Sequence, residues 1–269
     1  MMKRLLTGSV AALAAVAAIL LLDGTWIFVI LLLLFEGSAW ELSRIGKRLY
    51  PRAPIEVLLL LIPVAAFSWL SPPSYFPALP FAVLAASPLV LAVLLLSRGA
   101  NPTEALGALG FLSFGLVYLS APFWSLFELH RASPRLLLLL LITVWGNDAA
   151  AFWVGSAVGR RKLAPRLSPN KTYEGSVAGL VAAALLAFAG LTWLGAENRW
   201  ELWALLVLTS VAAQLGDLIE SLLKRAAAIK DSGRVLPGHG GLLDRLDAII
   251  LAAPVFYGLL GLFSTAVDF

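Results

Sequence analysis

Long apolar runs separated by short polar stretches fill almost the whole chain. Runs approaching the roughly 20 apolar residues that cross a hydrocarbon core about 30 Å thick lie at 5–22, 25–40, 55–70, 78–96, 103–126, 136–158, 175–194, 202–223 and 246–267, each bounded by charge, Pro or Gly. The pattern predicts an all-α fold, a polytopic integral membrane helical bundle of about nine transmembrane helices, with little left for a soluble domain. The opening, Met1 to Arg4 ahead of 5–22, has the basic-then-apolar order of a signal peptide. It reads better as a first span, because the run is long and further hydrophobic segments follow directly. Pro63 and Pro88 fall inside spans and imply local kinks, which neighbouring helices can accommodate. The chain has no evident internal repeat and no inverted pairing of broken helices such as secondary transporters carry.

Composition agrees with the pattern. Of 269 residues 60% are hydrophobic and 13% charged, with mean hydropathy +0.90, outside the balance of a soluble domain. The absence of cysteine excludes a disulfide framework, a thiolate metal site and a cysteine nucleophile. Two histidines are too few for a histidine-rich metal site. With the N-terminus placed on the cytoplasmic side of nine spans, only Arg131, Arg135 and Arg199 of the 20 basic residues fall outside. That asymmetry is the positive-inside rule, so topology accounts for the net charge of +4, which gives no reason to propose nucleic-acid binding. The asymmetry places the N-terminus on the cytoplasmic side of the membrane.

Polar residues enter the apolar segments mainly in the second half. Residues 1–130 are therefore read as N-terminal scaffold helices and 131–269 as a C-terminal catalytic transmembrane region. In the first four spans the acids noted are Glu36 and Glu56, near expected ends. Asp148 follows Trp145-Gly146-Asn147 inside the sixth span, where a carboxylate costs at least about 2.5 kcal/mol unless it meets a partner, water or metal. A protonated acid bonding to a neighbouring helix is the plainer alternative. On the eighth span Gln214, Asp217, Ser221 and Lys224 project into one sector at about 100° per residue, a polar stripe that must face the bundle or a wet cavity. Simple pairing of Asp217 with Lys224 would also account for it. Asp244 and Asp247 open the last span three residues apart, beside Gly238, Gly240 and Gly241, where backbone can approach a ligand closely. Their position also suits helix capping.

Between the sixth and seventh spans lie Arg160, Arg161, Lys162, Arg166 and Lys171. The first three are explained by topology alone. Lys171 is the better phosphate candidate, beside the Ser168 and Thr172 hydroxyls at a predicted helix start whose free N–H groups favour anions. Hard oxygen ligands suited to Mg²⁺ thus face cations suited to phosphate at the inner mouth of the bundle, an arrangement that allows phosphoryl or nucleotidyl transfer to a lipid.

Ser221-Leu222-Leu223-Lys224-Arg225, then Lys230-Asp231, His239-Gly240-Gly241 and Asp244-Arg245-Leu246-Asp247 resemble, over 27 residues, the signature of the phosphatidate cytidylyltransferase (CDP-diacylglycerol synthase) family. Ser168-Pro169-Asn170-Lys171-Thr172-Tyr173-Glu174-Gly175 resembles that family's second motif, and the resemblance covers roughly residues 140 to 250. One departure stands out: Ala149 and Phe152 occupy positions where the family usually has a hydroxyl residue and a tyrosine. The resemblance implies that a phosphate oxygen of phosphatidic acid attacks the α-phosphorus of CTP and pyrophosphate leaves. It implies Mg²⁺ as cofactor, as two cations of which the second can be monovalent, held by Asp217, Asp244 and Asp247, with Asp148 close by and Lys224 in the catalytic set. Substrate contacts would come from Ser168, Lys171, Thr172, Ser221, Arg225, Lys230, Asp231, His239, Gly240, Gly241 and Arg245. A homodimer in the lipid bilayer is the implied assembly. The rivals are a cation-coupled transporter, which would explain buried acids but not the loop motifs, and a CTP-dependent lipid kinase, which would release CDP.

Overall fold

The computed structural model of the protein describes residues 2–68, 79–97, 101–194, 200–233 and 240–263. Among the described residues the elements run α1 (Met2–Leu21), α2 (Gly24–Leu49), a 3₁₀ turn (Ile55–Val57), α3 (Leu58–Ser68), α4 (Leu79–Ser97), α5 (Pro102–Ala132), α6 (Pro134–Val158), β1 (Lys162–Ala164), β2 (Ser168–Thr172), α7 (Tyr173–Leu194), α8 (Trp200–Ala226) and α9 (Leu243–Phe263). The fold is all-α apart from one small hairpin. Helices α2, α5, α6, α8 and α9 are long and apolar enough to cross a bilayer, and Ala12–Leu21, Ile55–Ser68, Ala82–Leu95 and Tyr173–Leu186 are shorter apolar stretches. Leu13, Leu33, Leu60, Leu89, Leu106 and Leu185 stand on the outside of these helices, an arrangement stable against lipid rather than water. The protein is an integral membrane protein.

Two helices outrun their apolar segments. Expected at 25–40, α2 continues to Leu49, carrying Lys47 and Arg48 in its last turn where the helix dipole favours cations. Apolarity marks the thickness of hydrocarbon, whereas the backbone ladder continues for as long as nothing breaks it. Helix α5, expected to end at 126, likewise runs to Ala132 with His130 and Arg131 in its final turn.

The hairpin is an addition to the all-helical expectation. Pro165 occupies the second position of the turn that Leu167 N–H closes onto Ala164 C=O at 3.1 Å, where its fixed φ is pre-set for the bend. The strands pair antiparallel, Lys162 with Thr172 and Ala164 with Ser168, with an irregularity between the two pairs.

The chain forms two compact units, Met1–Ile27, Ser125–Leu222 and Leu246–Phe269 in the first and Phe28–Trp124 with Leu223–Arg245 in the second. In the first, α6 packs along α7 and the hairpin lies against both. Glycines permit that approach: a Cβ on Gly175 would lie 2.6 Å from Ala151 C=O and 3.1 Å from Gly155 Cα. In the second, Phe123 receives Phe28 and Phe35 edge-on at centroid distances of 5.4 and 5.9 Å, the orientation that aromatic quadrupoles prefer. Leu42, Leu58, Leu112 and Leu116 fill the core beside them.

Candidate active site

Three carboxylates of the first unit converge. Asp217 and Glu220 stand three apart on α8, one helical turn, and Asp247 lies in the first turns of α9. One oxygen of each lies within 4.8 Å of the others, with Glu220 buried and the two aspartates half-buried. Gly216 makes the approach possible: a Cβ there would meet Asp247 C=O at 2.5 Å and Leu251 Cβ at 3.3 Å, so only a bare backbone lets the two helices close. Lys171 on β2 pairs with Asp217 at 2.5 Å. The cluster gathers hard anionic oxygens in one place. Oxygens around an octahedral Mg²⁺ at 2.0–2.1 Å stand roughly 2.9–4.2 Å apart, so the residues fit a divalent cation with little movement.

A polar network underlies this cluster. Fully buried Asn147 on α6 accepts on its Oδ1 from Ser210 Oγ at 2.7 Å and from Gln214 Nε2 at 2.8 Å, both on α8. Gln214 Nε2 also donates to Ser176 C=O at 3.0 Å, and Ser176 Oγ donates back to Gln214 Oε1. Asn147 Nδ2 in turn donates to Asp148 Oδ1 at 3.0 Å. Asp148 is near enough to Asp217 and Lys171 to feel both charges. Helices α6, α7 and α8 are therefore pinned in register at the depth where Asp148 stands, and every member has a use for its polar atoms.

Hairpin geometry sets the position of Lys171. Thr172 is buried, and its Oγ1 accepts the Gly175 N–H at 3.1 Å, capping α7. Glu174, at the first turn of α7, accepts the Arg161 N–H at 3.2 Å, closing the other end of the hairpin. Its own backbone N–H is the main influence holding its carboxyl below the usual value of 4.5, with the Arg161 and Arg160 N–H groups assisting against some desolvation. Ser168 is half-buried at the start of β2.

In the second unit Asp244 is held from all sides. Its Oδ1 accepts Lys224 Nζ at 2.6 Å, and its Oδ2 accepts the Ser232 N–H at 3.0 Å and the Gly241 N–H at 2.8 Å, with Ser232 Oγ at 3.0 Å. Gly240 has φ of +80°, and a Cβ on it would lie 2.7 Å from Asp244 Oδ2, so this position favours glycine twice over. Arg225 donates to Ile229 C=O at 3.2 Å from an exposed position, and Lys230, Asp231 and Arg245 are also exposed, whereas Ser221 is buried. His239 lies outside the described residues.

Of the residues expected at the site, Asp217, Asp247 and Lys171 come together, with Asp148 in electrostatic range; Lys224 and Asp244 form their own pair. Sequence reading missed Glu220 as a member of the acid cluster, although its spacing from Asp217 matches that of Asp244 from Asp247. It also missed Asn147 and Glu41. Asn147 could have been found, since an amide in an apolar span needs partners as much as its neighbour Asp148 does. The signal for Glu41 was hidden by the assumed end of the second span at 40.

The sequence pattern of the Cytidylyltransferase family matches residues 2–263. The chain is similar to the phosphatidate cytidylyltransferase of Bacillus subtilis, 36% identical over 276 residues that cover 98% of this chain and 99% of that protein. It is also similar to that of Staphylococcus haemolyticus, 30% identical over 94% of this chain and 96% of the relative. The Haemophilus influenzae protein of the same name is 44% identical over a shorter stretch, 45% of this chain and 44% of its own length. A match from one end of the described helices to the other, taking in the carboxylate cluster and the glycine-bearing loop alike, shows that the chain belongs to the cytidylyltransferase family.

Proposed function

We propose that the protein transfers the cytidylyl group of CTP to phosphatidic acid, giving CDP-diacylglycerol and pyrophosphate. The observation that carries the reading is the meeting of Asp217, Glu220 and Asp247 beside Lys171 in a chain of this family. A phosphate oxygen of the lipid forms a bond to the α-phosphorus of CTP, and the bond from that phosphorus to the β-phosphate bridge breaks. No protein nucleophile is required, since the lipid phosphate is already anionic. A divalent cation, Mg²⁺ on this reading, supplies charge stabilisation at the phosphates when bound. Asp217, Glu220 and Asp247 would hold it, with Asp244 and Asp148 as the further acids of the set, and a second cation, divalent or monovalent, would complete the pair.

Lys171, released from Asp217 as anionic substrate arrives, donates hydrogen bonds to phosphate oxygen, and Lys224, Arg225 and Lys230 neutralise further phosphate charge. The concentration of basic residues on one side supports a cytoplasmic active site in a bacterial inner membrane, where CTP is available. The homodimer implied by the family resemblance belongs to the same proposal.

The test supplies CTP, Mg²⁺ and dioleoyl phosphatidic acid in mixed micelles and follows CDP-diacylglycerol and pyrophosphate. Stoichiometric formation of both is expected. Release of CDP with a phosphorylated alcohol would make the protein a lipid kinase instead, and no product with any lipid acceptor would overturn the reading.

A further inference from the structure

We infer that Glu41, from the middle of α2, is a positioning residue for the transfer reaction, acting through the loop that carries Asp244. The inference rests on the proposed activity. Glu41 has no exposed surface, yet its carboxylate is surrounded by donors from one short region of chain. Ser232 Oγ lies 2.8 Å from Oε2, the Leu243 N–H donates to Oε2 at 2.9 Å and the Leu242 N–H donates to Oε1 at 3.1 Å. A carboxylate removed from water is stable only with such a set of partners. Here the partners are Ser232 together with the last residue before α9 and the first of it.

The same segment holds Asp244. Ser232 touches both carboxylates, its hydroxyl oxygen 2.8 Å from Glu41 Oε2 and 3.0 Å from Asp244 Oδ2. A hydroxyl has one proton, so it donates to one acid at a time. The Ser232 backbone N–H also serves Asp244, and the Gly241 N–H serves Asp244 while the next N–H along, of Leu242, serves Glu41. The two acids thus share one scaffold, gripping it from opposite sides.

Two glycines carry the imprint of this arrangement. A Cβ on Gly241 would overlap both oxygens of Glu41 and the Ser232 hydroxyl, and a Cβ on Gly233 would overlap Glu41 Oε1. Glycine at these positions makes room for a buried carboxylate from a distant part of the sequence. That is a different demand from close approach to a ligand. With Lys224 fixing Asp244 Oδ1 at 2.6 Å, removal of Glu41 frees the opposite side of the loop and lets the Asp244 carboxylate turn.

Glu41→Gln keeps the size of the side chain but turns an amide N–H₂ toward N–H or O–H donors. The expected result is a kcat lower by roughly 10–100-fold, the range for residues that orient a reacting group from behind. KM for phosphatidic acid should stay within about twofold of the parent. Ser232→Ala, which leaves Glu41 in place, should also lower kcat. The double variant should be no worse than the more impaired single, because both act through one contact. Turnover of Glu41→Gln within about twofold of the parent, or losses that multiply in the double variant, would overturn the inference. So would a kcat loss that follows only the fraction of monodisperse protein in detergent. Should Glu41→Gln fail to fold, Ser232→Ala decides: full kcat there would overturn the inference. A parent protein that makes no CDP-diacylglycerol would overturn the proposed function and not this inference, since the comparison is made only against an active parent.

Discussion

The charge-removing, nearly isosteric substitution Glu220→Gln tests the carboxylate cluster most directly. At the 4.8 Å limit on their separation, each pair of ionised carboxylates repels by about 3.5 kcal/mol at an effective dielectric of about 20. Lys171 offsets part of this at Asp217. A bound divalent cation would relieve that repulsion between α8 and α9. A cation at 100 times its Kd adds about 2.7 kcal/mol to stability. At about 2–4 °C per kcal/mol for a chain of this size, Mg²⁺ should raise the thermal midpoint by roughly 5–10 °C. The assay is a melting curve in detergent across a Mg²⁺ titration, followed for example by tryptophan fluorescence. Glu220→Gln should gain less than about 2 °C from Mg²⁺. Asp247→Asn should behave alike and should lose turnover. An undiminished Mg²⁺ shift in both variants would refute the assignment of these acids to a cation.

Three further outcomes follow from other parts of the molecule. Asn147→Leu removes one hydrogen-bond partner from each of Ser210, Gln214 and Asp148, and should cost about 1–2 kcal/mol, read as a midpoint lower by about 2–8 °C, with Ser210→Ala costing less. Ala228 closes α8 with φ of 55°, and the Ile229 N–H to Lys224 C=O bond at 2.9 Å completes a Schellman motif that usually has glycine at this position. Ala228→Gly should therefore stabilise the protein by about 0.5–1 kcal/mol, measured by urea or thermal unfolding in detergent. Because the Glu174 carboxyl is held below its usual value of 4.5, the folded protein binds fewer protons there than the unfolded chain. Its contribution is complete above the unfolded value and disappears as pH falls through the folded one. The stability difference between parent and Glu174→Gln should be largest near neutrality, shrink in acid and weaken with salt, and a difference independent of pH would contradict the cause given.

The sequence by itself determined the helical class and the membrane environment, and it singled out Asp217, Asp247 and Lys171, which the structure brings together. Those properties follow from quantities that are local along a chain: the length of apolar runs against the thickness of a bilayer, and the cost of a carboxylate among them. Periodicity placed Asp217 on the polar side of its helix for the same reason, since side chains three and four apart share a face whatever the helix later packs against.

Contacts between segments distant in sequence were decided only by the tertiary structure. No spacing rule brings Asp217 and Glu220 to Asp247. That meeting depends on Gly216 letting α8 reach the backbone of α9, and a glycine in an apolar span has many other uses. Lys171 was placed at a helix start by sequence and on a strand by structure, because a Pro165 turn lets two short segments satisfy each other's backbone groups first. Glu41 is the plainest case. Its value comes from three donors some 190 to 200 positions away, at separations of 191, 201 and 202 residues. Nothing in its own neighbourhood announces them, because hydrogen-bond complementarity is a property of surfaces that meet and not of the segment that supplies one of them.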